Sequence, residues 1–353
     1  MGIDLSIIWA AIILFGIMMY IVMDGFDLGI GILYPCFPGK QERDVIMNTV
    51  APVWDGNETW LVLGGAGLLA AFPLAYSVIL SALYLPLMFM LVGLVFRGVA
   101  FEFRFKALDH ERHFWDKAFI GGSVAATFFQ GVALGAYIQG FQVASRATIG
   151  IPQVYIQGVA IDGLTFAGGP LDWISPFSLF CGVGLLAAYA LLGSTWLIMK
   201  TEGALQAHAY RITRPLVWAL LAAIAIISLW TPLIDERIAA RWFTFPNLLW
   251  FAPVPLLVAA CAWRLLRALA GRKNRQPFLY TLALVFLGYT GLGISVWPHI
   301  VPPGISIWQA AAPPQSQGFA LVGALLIIPV ILGYTVWSYY VFRGKVRLGE
   351  GYH

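Results

Sequence analysis

Five carboxylates stand at the ends of apolar runs. Asp24 and Asp27, in "MDGFDLGIG", and Asp55 and Glu58, in "APVWDGNETW", form pairs three residues apart, and Glu102 closes a later run in "FRGVAFEFRFK". Positions three apart on a helix share roughly one face, so each pair can aim both acids the same way. Carboxylates within a bilayer are costly, usually face the bundle interior, and often mark ion or proton paths. Crowding and desolvation bring carboxyl groups toward proton exchange near neutral pH. The expected chemistry is therefore proton relay through Asp24, Asp27, Asp55, Glu58 and Glu102. A blander reading stands beside it. Leu5 to Met23 is 19 residues, which at ~1.5 Å each almost spans the hydrocarbon, so Asp24 can lie at a headgroup boundary. Asp55 and Glu58 can likewise be first-turn acids favoured by the helix dipole. Against the boundary reading, the residues from Asp27 to Pro35 are apolar or glycine apart from the tip of Tyr34.

Helices that cross a membrane must position these acids. Of 353 residues, 60% are hydrophobic and 11% charged, against about 25% charged in soluble domains. That composition fits one transmembrane domain over residues 1–353 and leaves no room for a soluble one. The amino end lacks a basic leader and reads as a retained span. Apolar runs near residues 5–33, 54–72, 75–101, 117–139, 173–199, 213–233, 244–265, 277–298 and 317–342 predict nine helices in an all-α polytopic bundle. Pro73 divides a stretch too long for one span into two. The segment "WPHIVPPGISIWQAAAPPQSQ" has too many prolines and polar residues to cross, and reads as a loop. Placing the amino end outside and the carboxyl end inside puts 18 Lys and Arg on the inner side and 3 on the outer, as the positive-inside rule requires. All five acids then approach the inner face. Residues 140–172 form the longest outer loop, expected to lie partly along the interface.

Other chemistry finds little support. Cys36, Cys181 and Cys261 are scattered and suggest neither disulfides nor a metal motif. His110, His113, His208, His299 and His353 fall in loops or at span ends, whereas haem in a bundle takes ligands from helix interiors. No phosphate loop or zinc motif is present. Gly25 and Gly29 form a small-xxx-small face for close helix packing. Trp54 and Trp60 read as interface anchors, and Arg97 as a residue that reaches the inner surface or pairs with one of the acids.

The motifs "MDGFDLGIG", "NTVAPVWDGNETWL", "FRGVAFEFRFK" and "SIWQAAAPPQSQ", in this order, resemble the second subunit of the cytochrome bd-type quinol oxidases. The last motif and the compact loops resemble the cyanide-insensitive branch. The match runs over nearly the whole chain and is weakest at 140–172. The resemblance implies a haem-free subunit II in the bacterial inner membrane, paired with a subunit I that carries haem b and haem d. That complex oxidises quinol, reduces O2 to water and draws protons from the cytoplasm. It also implies that Asp24 and Asp55, with Asp27 beside them, are proton-conducting, that Glu102 stands where some members have Asp, and that Trp60 matches a tryptophan of an oxygen-access tunnel. Glu58 departs from relatives that have Gln there. Some second subunits hold a structural quinone and some complexes add a small single-helix subunit; the residues here require neither. The alternatives are a proton-coupled secondary transporter, which should show inverted halves with interrupted helices, and a purely structural scaffold.

Overall fold

In the computed structural model, residues 4–108, 110–145, 148, 150, 154–156, 159–161 and 163–347 are described. His353 lies outside them. The described residues are all-α apart from three short two-stranded ribbons. Helix α1 (Leu5–Leu33) starts where the Asp4 side chain accepts from the backbone N–H groups of Ser6 and Ile7, an N-cap. A short α2 (Lys40–Asn48) follows, then α3 (Trp54–Ala71) and α4 (Pro73–Lys106). Only Phe72 separates α3 from α4, with Pro73 at the first helical position, where its missing N–H costs nothing. The expected hairpin at Pro73 is thus present. Next come α5 (Arg112–Gln139), α6 (Pro176–Lys200), α7 (Gly203–Ile234), α8 (Glu236–Phe243), α9 (Asn247–Phe251), α10 (Pro253–Ala270), α11 (Gln276–Val296) and α12 (Pro314–Val341).

Eight helices among the described residues are long and apolar enough to cross a membrane, one fewer than expected. The ninth, α3, is 18 residues long, about 27 Å of helix, but its first turns carry Asp55, Asn57 and Glu58 and dilute its apolar character. It nevertheless runs antiparallel along α1: Gly64 lies against Gly16, and Gly67 against Ile13 and Trp9. Boundaries shift elsewhere. The span expected at 213–233 begins earlier, at Gly203, and the one at 244–265 is broken before Pro253 into α9 and α10. Proline cannot donate the backbone bond that continuity would need.

The loop between α5 and α6 contains ribbons β1 (Val143–Ser145) with β4 (Leu164–Phe166) and β2 (Val154–Ile156) with β3 (Val159–Ile161). The proline-rich segment before α12 is a loop, as expected, with a small hairpin of β5 (His299–Val301) and β6 (Ile305–Ser306). This loop and the start of α12 fasten the amino end of α1 to the end of α3. The Trp9 indole donates to the Gln317 carbonyl at 3.0 Å. Gln317 donates to the Ala71 carbonyl at 3.1 Å, and the Ala312 N–H to the same carbonyl at 2.9 Å. The Trp308 indole donates to Asp4 at 2.8 Å. That bond, with the two N-cap bonds, holds the Asp4 carboxyl below its usual range.

Helix α1 is the axis of the bundle. Gly25 packs on Tyr189 and Leu192 of α6, and Gly29 on the backbone of Tyr189 and Gly193. The small-xxx-small face therefore brings α1 and α6 into backbone contact, the close approach on which helix packing in lipid depends.

Candidate functional site

Arg97 of α4 is fully buried, and it faces α1. Its Nη1 lies 3.0 Å from Asp24 Oδ1 and 2.8 Å from Glu58 Oε1, and its Nη2 lies 3.7 Å from Asp27 Oδ2. The guanidinium also sits 5.8 Å from the ring centroid of Trp54 and 5.6 Å from that of Phe101, rings that stack at 5.1 Å. Such cation–π contacts favour a desolvated Arg. Asp24 and Asp27 are fully buried, and the Glu58 side chain is 29% exposed. Three helices thus bring one permanent cation to three acids. One guanidinium balances one carboxylate, so the three acids bring more potential negative charge than the cation offsets.

Hydrogen bonds extend the site to the last helix. Asn57 donates to Asp27 Oδ2 at 2.6 Å and to the Met23 carbonyl at 3.2 Å. The Tyr339 hydroxyl of α12 donates to Asn57 Oδ1 at 3.0 Å. Several buried polar atoms find no hydrogen-bond partner among the described residues: Tyr20 Oη, both Asp24 oxygens, Asp27 Oδ1, Trp60 Nε1 and Arg97 Nε and Nη2. The 3.0 Å approach of Arg97 to Asp24 is an ion-pair distance without hydrogen-bond alignment. Buried donors and acceptors gathered this way are the setting in which proteins hold internal water.

The five predicted acids separate into two groups. Asp24, Asp27 and Glu58 meet at Arg97. Asp55 is exposed on the surface of α3. Glu102 is also exposed and lies 3.6 Å from Lys106, one turn on. Trp60 is not an interface anchor: it is fully buried and packs with Tyr20 and Met23. Arg97 pairs with three acids instead of reaching the surface.

A second buried cluster escaped the sequence reading. Arg104, 1% exposed, contacts Asp116 through Nε at 2.6 Å and Asp44 through Nη1 at 2.7 Å. Arg43 reaches Asp116 Oδ2 at 2.8 Å, and the Tyr34 hydroxyl donates to Asp116 Oδ1 at 3.1 Å. Both guanidiniums lie over the Tyr34 ring, at 5.0 and 5.6 Å. This knot ties the end of α1 to α2, α4 and α5 about two turns along α4 from Arg97. The available signal was Asp116 inside "HFWDKAFIGG", beyond where a solvated loop charge should lie. Tyr34→Phe is expected to lower the stability of the purified assembly by about 2 kcal/mol, one hydrogen bond to a charged group. The check is its thermal midpoint; an unchanged midpoint would place Asp116 under the two arginines alone.

None of the four described histidines is buried: His110 and His113 are exposed, and His208 and His299 are partly so. No group of three or more His, Cys, Asp or Glu able to hold a metal occurs among the described residues.

Comparison with known proteins gives concordant results. The family model described as "Cytochrome bd terminal oxidase subunit II" matches residues 5–342. The "Probable cytochrome oxidase subunit 2" of Haemophilus influenzae is 30% identical over 97% of this chain and 95% of the relative. The "Cytochrome bd-I ubiquinol oxidase subunit 2" of Escherichia coli K12 is 27% identical, with 97% and 95% covered. The "Cytochrome bd ubiquinol oxidase subunit 2" of Bacillus subtilis is 27% identical, with 98% and 97% covered. A chain of the bd oxidase of Geobacillus thermodenitrificans shares the fold at a TM-score of 0.73 and 17% identity, covering 96% of this chain and 99% of that one.

Proposed function

This chain belongs to the family of cytochrome bd terminal oxidase subunits II, and from that premise we propose that its Arg97-centred acids feed protons from the cytoplasm to the complex. As a family member it is a multi-pass membrane subunit of a quinol:oxygen oxidoreductase that works with a subunit I and haems in the same complex. In our reading haem b and haem d reside in subunit I, the membrane is the bacterial inner membrane, and the whole chain acts as one transmembrane domain. The carboxyl end faces the cytoplasm, consistent with the bias of basic residues. Haems supply the oxygen chemistry when bound. This chain's residues hold and pass protons: Asp24 and Asp27 as carriers, Arg97 as the counter-charge that keeps them together, and Glu58 as the partly solvated member. Asp55 and Glu102, exposed here, are proposed to contribute to the same route from the chain's surface, and buried Trp60 to oxygen access.

The observation that carries this reading is the burial of Asp24 and Asp27 against one guanidinium at 3.0 and 3.7 Å. A scaffold has no need of such an arrangement, since apolar residues of like volume pack at least as stably. The test is Asp24→Asn and Asp27→Asn, alone and together, in the complex purified with subunit I. Quinol-driven oxygen uptake is expected to fall by about a hundredfold, the lower end of the range for losing a positioned proton-transfer group, with haem content unchanged. Full turnover in every variant would leave the scaffold reading.

A further inference from the structure

Beneath Tyr339 lies a cavity of about 270 Å³ at the inner end of the bundle, between the end of α2, the start of α3 and the ends of α6 and α12. It has room for several waters. Asn48 and Trp196 are among its lining residues, and Trp196 is 3% exposed. Two lysines also line it, but both are engaged. Lys200 donates to the carbonyls of Phe342 and Gly344, and Lys345 donates to the Thr201 carbonyl and lies 3.7 Å from Glu202. With both lysines so committed, the lining is suited to water more than to an anion. The inner wall is Tyr339, whose hydroxyl stands two hydrogen bonds from Asp27, through Asn57.

Resting on the proton-feeding reading, we infer that this cavity is the water-filled entrance by which protons reach Asp27, with the Tyr339–Asn57 hydrogen bond as its inner door. When that bond opens, water from the cavity reaches the Asp27 carboxylate. Hydronium gives up its proton there and remains as water, so charge and atoms balance without any other reactant. The entrance is distinct from the surface acids Asp55 and Glu102, which do not line it. It belongs to the C-terminal segment that closes over α6, where the Val346 N–H donates to the Lys200 carbonyl at 2.9 Å.

The test plugs the entrance after the complex has folded. In a background with Cys36 and Cys261 replaced by Ala, Val346→Cys at the cavity rim is modified with a bulky membrane-impermeant methanethiosulfonate in the purified complex, beside Lys273→Cys, an exposed site on another loop. The adduct at 346 is expected to slow quinol-driven oxygen uptake at least fivefold and to raise the solvent isotope effect on turnover, and reduction of the adduct should restore both. The adduct at 273 should change neither. If Asp24→Asn and Asp27→Asn slow turnover while the plug at 346 does nothing, the acids conduct but protons enter elsewhere, which overturns this inference alone. If neither the plug nor the acid variants slow turnover, the inference falls together with the reading beneath it.

Discussion

Arg97→Met is expected to cost about 3–5 kcal/mol, the range for removing one partner of a buried ion pair, and to abolish or sharply reduce the yield of assembled complex. The side chains are similar in length, so packing is nearly kept while the cation is lost. What remains is Asp24 and Asp27, fully buried, and Glu58 beside them. A second change isolates the cause. Adding Asp24→Asn and Asp27→Asn to Arg97→Met removes the stranded charge and is expected to recover much of the yield and thermal midpoint without recovering turnover. An Arg97→Met complex that assembles with an unchanged midpoint would mean that the acids are already neutral and that the guanidinium contributes little to the fold.

The second large effect is expected at Gly29. A Cβ there would fall on the Tyr189 carbonyl and within 2.9 Å of the Gly193 nitrogen. Both obstacles are backbone, so α1 and α6 would have to part. Gly29→Val is expected to destabilise the bundle by about 3 kcal/mol, the upper part of the overpacking range, and to displace Asp27, two residues before it. Gly25→Ala makes the contrast. Its new methyl meets the Tyr189 ring at 2.9 Å and a Leu192 methyl at 3.1 Å, side chains that can turn aside, so its loss should be clearly smaller. Thermal midpoints of the two variants in the purified complex check the order. Equal losses would mean that the α1–α6 crossing adjusts as a whole and that backbone contact at Gly29 is not its fixed point.

Much of this was legible in one dimension. Apolar run lengths locate the long helices, and Pro73 forces the turn between α3 and α4 because it cannot continue a helix from the residues before it. The Gly25–Gly29 spacing announces a close crossing. Spacing could not say which acid of a pair turns inward. Asp55 and Glu58, three apart, differ by about 60° around the helix, and only Arg97 on a neighbouring helix makes one of them interior. The Arg104–Asp116 knot is not legible from spacing because its partners, Asp44 and Arg43, come from a separate short helix. Asn57 carried no signal of its own, since its partner Tyr339 lies 282 residues away. The shortfall of one span has the same origin: the polar first turns that make α3 useful to the site also remove its membrane signature.

That long reach has a consequence for biosynthesis. Trp9 is tied to Gln317 across 308 residues and Asn57 to Tyr339 across 282, so both ends of the first hairpin depend on the final helix. A ribosome delivering this chain inserts α1, α3 and α4, with their acids and arginine, long before α12 emerges. During that interval Asn57 and Trp9 have not met their last partners, and the cavity has no inner wall. The site is therefore finished only when α12 enters the membrane, and a nascent chain stopped before Pro314 presents the charged cluster without its lid.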